Sequence, residues 1–328
     1  MSAHSDAASP GDKPASVPQK QSESWFELFR AKLYDQAVVA LYAEGAREKT
    51  ERWITEVLVG HVLIQKKRSE GVAHYERLFQ EMPTVAGPYQ WLAMAQINWG
   101  RSEAALQTTE RALAAGVPPA EVIPTRARAL KAMGRLDDGV HALEELAASE
   151  ADAPEPLVAL ADLVQNTERQ NERKNYLSRA LQRSGDLEPA LSRLASLVSA
   201  DGEHDHAIAL YRRLVKIRPA DANYWTLLGN EYLALDLNDS AMASYEHAND
   251  LAAGKEAWIL ANIGNLLWSR GLFQGAIRYL RQAITIDDSS AYAHERLGSA
   301  LQGAAAEEER ANALVRALEA KPRALAAD

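Results

Sequence analysis

The chain has 328 residues, 47% of them hydrophobic, with 45 acidic against 36 basic side chains and a formal net charge of −9. An acidic balance of that size offers no general attraction for a phosphate backbone, so no nucleic acid partner is expected. Cysteine is absent, which excludes disulfides, thiolate metal ligands and a cysteine nucleophile.

Residues 1–22 are rich in Ser, Ala and Pro and hold no apolar core. They lack the basic start and hydrophobic stretch of a secretory signal and read as a disordered leader. No run approaches the roughly 18 apolar residues of a membrane span, so no membrane insertion is expected and the expected location is cytoplasmic. Over 23–51, Trp25, Phe26, Leu28, Phe29, Leu33, Ala37 and Leu41 suit a degenerate N-terminal helix pair. From 52 to 322 one helical unit follows another, with starts near Pro88, Pro119, Pro154, Glu188, Asp221, Glu256 and Ser290. Proline suits a first helical turn because its missing N–H would be unpaired there in any case. Gly100, Gly134, Gly202 and Gly271 fall where the two helices of a unit meet, a turn that favours positive φ. The second helix of the last unit is expected over about 307–320, with Glu307, Glu308 and Glu309 at its solvated start. Residues 323–328 form a C-terminal tail.

One small residue recurs along this array: Ala93, Ala127, Ala161, Ala195, Gly229, Gly264 and Gly298 lie at intervals of 34 residues, with a single interval of 35. Pro83, Pro219 and Pro322 repeat in the same register. Trp225, Leu228, Gly229 and Tyr232 stand at W-x2-L-G-x2-Y spacing, followed by Ala241 and Tyr245. The pattern resembles the tetratricopeptide repeat (TPR) family, whose unit is a helix–turn–helix. The resemblance covers about 50–322 and is strongest over 188–289. It implies an all-α fold, a right-handed α-solenoid superhelix of about eight to nine such units. Arg173 and Arg310 stand where the family has a small alanine, which predicts looser or unusual packing at those two joints.

Chemistry-bearing motifs are sparse. There is no phosphate-binding loop, nucleophile elbow, H-E-x-x-H or G-x-G-x-x-G. Glu203, His204, Asp205 and His206 form the one metal-like cluster, but His204 and His206 are two apart and do not share a helical face. They read as a solvated turn, with no metal. Arg126, Arg128, Lys131 and Arg135 read as a solvated helix face rather than a phosphate site. No catalytic residue and no cofactor is expected.

In the family the first helices of successive units line a concave groove that holds partner peptides. The resemblance places Asn230, Asn262, Asn265 and Arg296 at groove positions, with Asn223, Trp258, Trp268 and Tyr292 further along the same faces. An asparagine amide both donates and accepts, so it can pair with an extended backbone. Arg296 can hold a carboxylate with two parallel bonds, and Trp258 and Tyr292 can flank an apolar side chain. Asn230, Asn262 and Arg296 match three places of the carboxylate clamp of TPR co-chaperones, whereas Thr226 and Tyr292 stand where that clamp has lysines. A second, apolar patch comprises Trp53, Leu63, Trp91 and Ile97, beside Ile64 and Trp99. Intramolecular packing is its favoured reading, with a partner helix or a dimer contact as the others. The function these features imply is a non-enzymatic scaffold or adaptor, or a chaperone-like factor, binding a protein or peptide segment. The alternatives are a substrate-recruiting partner of a transferase or protease acting in trans, and a self-associating structural protein.

Overall fold

The computed structural model describes residues 24–48 and 52–324. The expected leader, residue 23, residues 49–51 and most of the expected tail lie outside the described residues. The chain divides into two compact units, one ending at Met133 and the other beginning at Gly134. The first holds α1 (Trp25–Arg30), α2 (Tyr34–Glu48), α3 (Arg52–Lys66), α4 (Arg68–Glu81), α5 (Ala86–Asn98), α6 (Ser102–Ala114) and α7 (Pro119–Ala132). The second holds α8 (Leu136–Ser149), α9 (Glu155–Leu163), α10 (Gln170–Arg183), α11 (Glu188–Ala200), α12 (His204–Ile217), α13 (Ala222–Ala234), α14 (Asn238–Leu251), α15 (Ala257–Ser269), α16 (Phe273–Ile286) and α17 (Ala291–Ala324). Every described element is a helix, in agreement with the expected all-α class.

Within each unit, helices neighbouring in sequence pack as antiparallel hairpins, and each hairpin stacks on the next. The turns follow from backbone chemistry. Gly100, Gly134, Gly202 and Gly271 all adopt φ between 73° and 78°, and Asp236 takes φ 56° at the corresponding place in α13–α14. Helix starts use proline as expected: Pro119 opens α7, and Pro156 lies in the first turn of α9.

The small residue repeated along the array earns its place by close approach. A Cβ on Gly229 would lie 2.5 Å from the Tyr245 ring, and one on Gly264 would lie 2.6 Å from Leu280 Cγ. Each pair is 16 residues apart, one on the first helix of a hairpin and one on the second. Tyr245, Leu280 and the equivalent Leu177 are fully buried. Burying a leucine of this kind contributes about 2 kcal/mol, and stacking is what supplies the cover.

Two joints differ. α9 is only nine residues long, and Arg173 has a buried Nε without a hydrogen-bond partner. Beside that joint Arg183 donates to the carbonyls of Ala147, Glu150 and Ala153 at 3.0, 3.3 and 2.7 Å, satisfying acceptors at and just beyond the end of α8. The second difference is a correction. No separate helix begins near Glu307, because α17 runs unbroken for 34 residues. The turn position one repeat beyond Gly271 is Ala305, inside the strongly helix-forming run Ala304–Ala305–Ala306–Glu307–Glu308–Glu309–Arg310, so nothing there favours positive φ. A consequence appears at Gly298, where an added Cβ would meet nothing within 4 Å. The position 16 residues on lies further along the same helix and cannot return to cover it.

Candidate functional site

The first helices α13, α15 and α17 lie side by side in the second unit. On α13, Asn230 accepts a 2.7 Å hydrogen bond at Oδ1 from the Tyr245 hydroxyl. That acceptor is already used to hold a buried ring, so Asn230 is a supporting residue with only its amide N–H groups left over. Thr226 is fully buried and donates to the Ala222 carbonyl at 2.8 Å, so it presents nothing at the face. On α15, Asn262 and Asn265 are half-buried and make no hydrogen bond among the described residues. Trp268, in the last turn of α15, packs against the core formed by Leu260, Leu280 and Ala293.

Arg296 on α17 joins that helix to α15. Its guanidinium carbon lies 5.3 Å from the Trp268 ring centroid and 5.5 Å from the Tyr292 ring centroid. Its Nε is buried and has no hydrogen-bond partner among the described residues. A guanidinium held between two aromatic faces is partly desolvated and oriented, and an unpaired buried donor strengthens its appetite for an acceptor. Burial pushes the Tyr292 phenol up, against the opposing pull of Arg296. The structure therefore brings Trp268, Tyr292 and Arg296 into one region, and Asn230 adjoins it through Tyr245, which lies within electrostatic reach of Tyr292. Asn223 and Trp258 remain apart from it: both are exposed near the starts of their helices. The Asn223 backbone N–H donates to Asp221 Oδ1 at 2.9 Å, capping α13.

The apolar patch of the first unit divides. Trp53 lies against Gly87, where an added Cβ would come within 2.8 Å of the ring, and Leu63 packs against the cluster of Leu28, Leu41 and Val62. Ile97 packs against Ala93, Ala105 and Ala129. Those three are packing residues. Trp91 differs: it is 45% exposed and lines a cavity of about 470 Å³ with Ile64 and Trp99. His61 meets the Trp91 ring edge-on at 5.7 Å.

Two polar joints escaped sequence reasoning. Glu231 on α13 is 4% exposed; Ser199 on α11 donates to its Oε1 at 2.6 Å, and His204 Nδ1 on α12 lies 2.8 Å from its Oε2. His204 is therefore a joint residue and not a solvated turn, which corrects the reading of its cluster. The signal was available, since Glu231 is the only charged residue in α13. Serine and histidine both face the carboxylate and not each other, so the trio is no nucleophilic triad. Among the described residues no group of three or more His, Asp or Glu could hold a metal ion. Of the basic cluster, Arg126 pairs with Glu110 at 3.4 Å and Arg135 with Asp138 at 2.6 Å.

The second joint is Glu56 on α3, 6% exposed, which accepts from the Tyr42 hydroxyl at 3.1 Å. His74 Nε2 donates to the Glu56 carbonyl at 2.9 Å, and His74 Nδ1 accepts from Arg77 at 3.1 Å, which makes the ring neutral. Burial lowers the pKa of both His74 and His61; at His74, Glu56 and Glu81 oppose that and Arg77 adds to it. The unfolded chain takes up these protons near pH 6.5, the folded chain only at lower pH. Stability is thus fully present above pH 6.5 and is lost progressively as pH falls from there through the lower pKa values of the folded chain. Thermal melts at pH 7.5 and 5.5 should show this loss, and His61→Gln/His74→Gln should flatten it. A double variant with an unchanged pH slope would assign the effect elsewhere.

Comparison with known proteins bears on the repeat and the fold. Models described as tetratricopeptide repeat match residues 190–223, 222–254 and 259–290. Aspartyl/asparaginyl beta-hydroxylase of Mus musculus is 26% identical over 192 residues, a match covering 54% of this chain and 26% of that protein. The chain thus spans about a quarter of the length of that curated relative. Among solved structures, the C-terminal part of a TPR repeat-containing protein from Cytophaga hutchinsonii superposes with a TM-score of 0.54 at 11% identity, covering 83% of this chain and 98% of that one. The APC/C hetero-tetramer Cut9–Hcn1 gives a TM-score of 0.49 at 15% identity, over 84% of this chain and 54% of that one. At such identities these likenesses concern the fold alone. Among the described residues no helix is long and apolar enough to cross a membrane.

Proposed function

The chain is a tetratricopeptide repeat protein, and from that premise we propose that it is a non-catalytic scaffold or adaptor that holds an extended partner segment across the α13–α15–α17 face. The observation that carries the reading is Arg296, oriented between Trp268 and Tyr292 with a buried Nε left unpaired. Asn262 and Asn265 supply amides to the partner backbone, which gives affinity without reading sequence. Arg296 sets preference for a carboxylate, and Trp258 and Asn223 extend the contact at the edges. Asn230 acts through Tyr245. With Thr226 and Tyr292 replacing the clamp lysines, a chaperone tail is a poorer fit than a segment with one carboxylate. A cytoplasmic location goes with this reading, and cell fractionation tests it.

The test is affinity capture from native lysate with the intact chain and with Asn262→Ala/Asn265→Ala/Arg296→Ala, folding being checked by circular dichroism. A partner held by the intact chain should be lost, or held at least tenfold more weakly, by the variant, the scale of removing an interface anchor. Equal retention by a folded variant removes this face from the function. The match to part of an enzyme by name favours a second reading, in which the chain presents a substrate to an enzyme in trans. Co-purification of a hydroxylase, transferase or protease activity with the chain would favour it.

A further inference from the structure

The cavity of the first unit has a chemistry of its own. Its floor is made by Ile64 and the fully buried Tyr75. Tyr75 is fixed there by a 3.0 Å hydrogen bond from its hydroxyl to the Val57 carbonyl. The exposed Trp91 and the half-buried Met94 and Trp99 add the apolar surface, and α3, α5 and α7 each contribute to the wall. A volume of about 470 Å³ falls within the range of clefts that enclose ligands. Tryptophan and methionine at a cavity mouth are the side chains that dominate binding energy and adapt to a partner's shape.

Charge decides what fits. The lining contains Arg128 and no aspartate or glutamate, in a chain that carries a net charge of −9. Elsewhere in this unit Arg52, Arg77, Arg111 and Arg126 each pair with a glutamate. Among the described residues Arg128 does not: its one polar contact there is a 3.9 Å approach to Met94 Sδ. Nearby, Arg68 lies 4.9 Å over the Trp99 ring and forms no ion pair among the described residues. Two unneutralised guanidiniums thus flank apolar, aromatic surface.

We infer that this cavity is a second binding site, which takes a large apolar side chain from a partner protein segment while Arg128 pairs with an acidic side chain beside it. The chemistry differs from that of the α13–α15–α17 face. There amides engage a backbone; here a single apolar anchor is buried and a neighbouring carboxylate completes an ion pair the chain leaves open. Asn98, exposed at the rim, is placed to bond the segment's backbone. The half-buried Gln90 already donates to the Glu121 carbonyl, tying α5 to α7 and holding the cavity's shape.

The experiment is a selection of random twelve-residue peptides displayed on phage against the full immobilised chain. Four forms are compared: the intact chain, Trp91→Ala, Arg128→Glu and Asn262→Ala/Asn265→Ala/Arg296→Ala. Trp91 and Arg128 are exposed, so neither substitution empties the core, and thermal melts confirm folding. The expected result is enrichment of peptides in which Phe, Leu or Trp adjoins Asp or Glu. A synthetic peptide of that pattern should bind Trp91→Ala roughly tenfold or more weakly. Arg128→Glu should lose the acidic preference, and the triple variant should keep the pattern intact. The proposal is overturned if no pattern is enriched, if the enriched peptides lack an acidic excess, or if they bind Trp91→Ala and Arg128→Glu as they bind the intact chain. Loss of the pattern in the triple variant alone would assign it to the other face and equally overturn the site.

Discussion

Replacing Gly71 with alanine is expected to destabilise the first unit by about 3 kcal/mol, the upper part of the range for overpacking a tight contact. Only Lys67 separates α3 from α4, so the two helices cross at short range around this residue. A Cβ on Gly71 would lie 2.7 Å from the Ile64 backbone nitrogen and 2.9 Å from its Cα, with the Ile64 side chain closer still. At Gly229 the neighbour is the side chain of Tyr245, which can tilt; at Gly71 it is helix backbone, which cannot yield without shifting the hairpin. Denaturant melts of the wild type and Gly71→Ala measure the difference, and they should also show release of the buried Phe79 and Tyr89 rings, stacked at 4.0 Å in the same unit. A loss below about 1 kcal/mol would mean that α4 moves away freely, contrary to a close-packed hairpin.

The second large effect is expected at Glu231. Its carboxylate is buried and accepts from Ser199 while facing His204, joining one hairpin, α11–α12, to the first helix of the next. Hydrogen bonds to a charged group contribute about 1.5–3 kcal/mol each, and removing the acceptor leaves two donors in a tight joint. His204 is 29% exposed and can recover part of that from water. Glu231→Ala should therefore cost about 3 kcal/mol in a denaturant titration, and Glu231→Gln, which keeps one acceptor, clearly less. The double variant Glu231→Ala/His204→Ala should cost less than the two single losses together, since the pair shares one interaction. Strict additivity would show that the contact is not coupled and that Glu231 is tolerated rather than used.

The elements most legible in the sequence were those governed by local chemistry. Turn glycines at 100, 134, 202 and 271 could be read as positive-φ positions because only the absence of a Cβ makes that backbone inexpensive. Repeat spacing marked Gly229 and Tyr245 as signature positions, and the structure brings them to the same level because helices of constant length align residues 16 apart. The end of the array was misread for the same reason. Repeat spacing carries no information about a turn whose residues have been replaced by alanine and glutamate, and local propensity there favours one continuous helix. The groove positions were legible as positions and not as roles. Asn230 and Asn265 occupy equivalent places, each directly after the repeated small residue, yet one is occupied by a buried tyrosine hydroxyl and the other makes no hydrogen bond among the described residues.

The sequence by itself determined the repeat, the helical class and the spacing of the hairpins, because these depend on periodicity, backbone conformation and side-chain size along a local stretch. Only the tertiary structure decided which polar residues are spent inside and which are left for a partner. Glu231, Glu56 and Arg183 are committed to neighbouring helices, while Arg296 and Arg128 retain unpaired donors beside aromatic rings. That difference depends on contacts between residues 14 to 36 positions apart, and charge type or spacing alone cannot rank which acceptor lies within hydrogen-bonding distance of which donor.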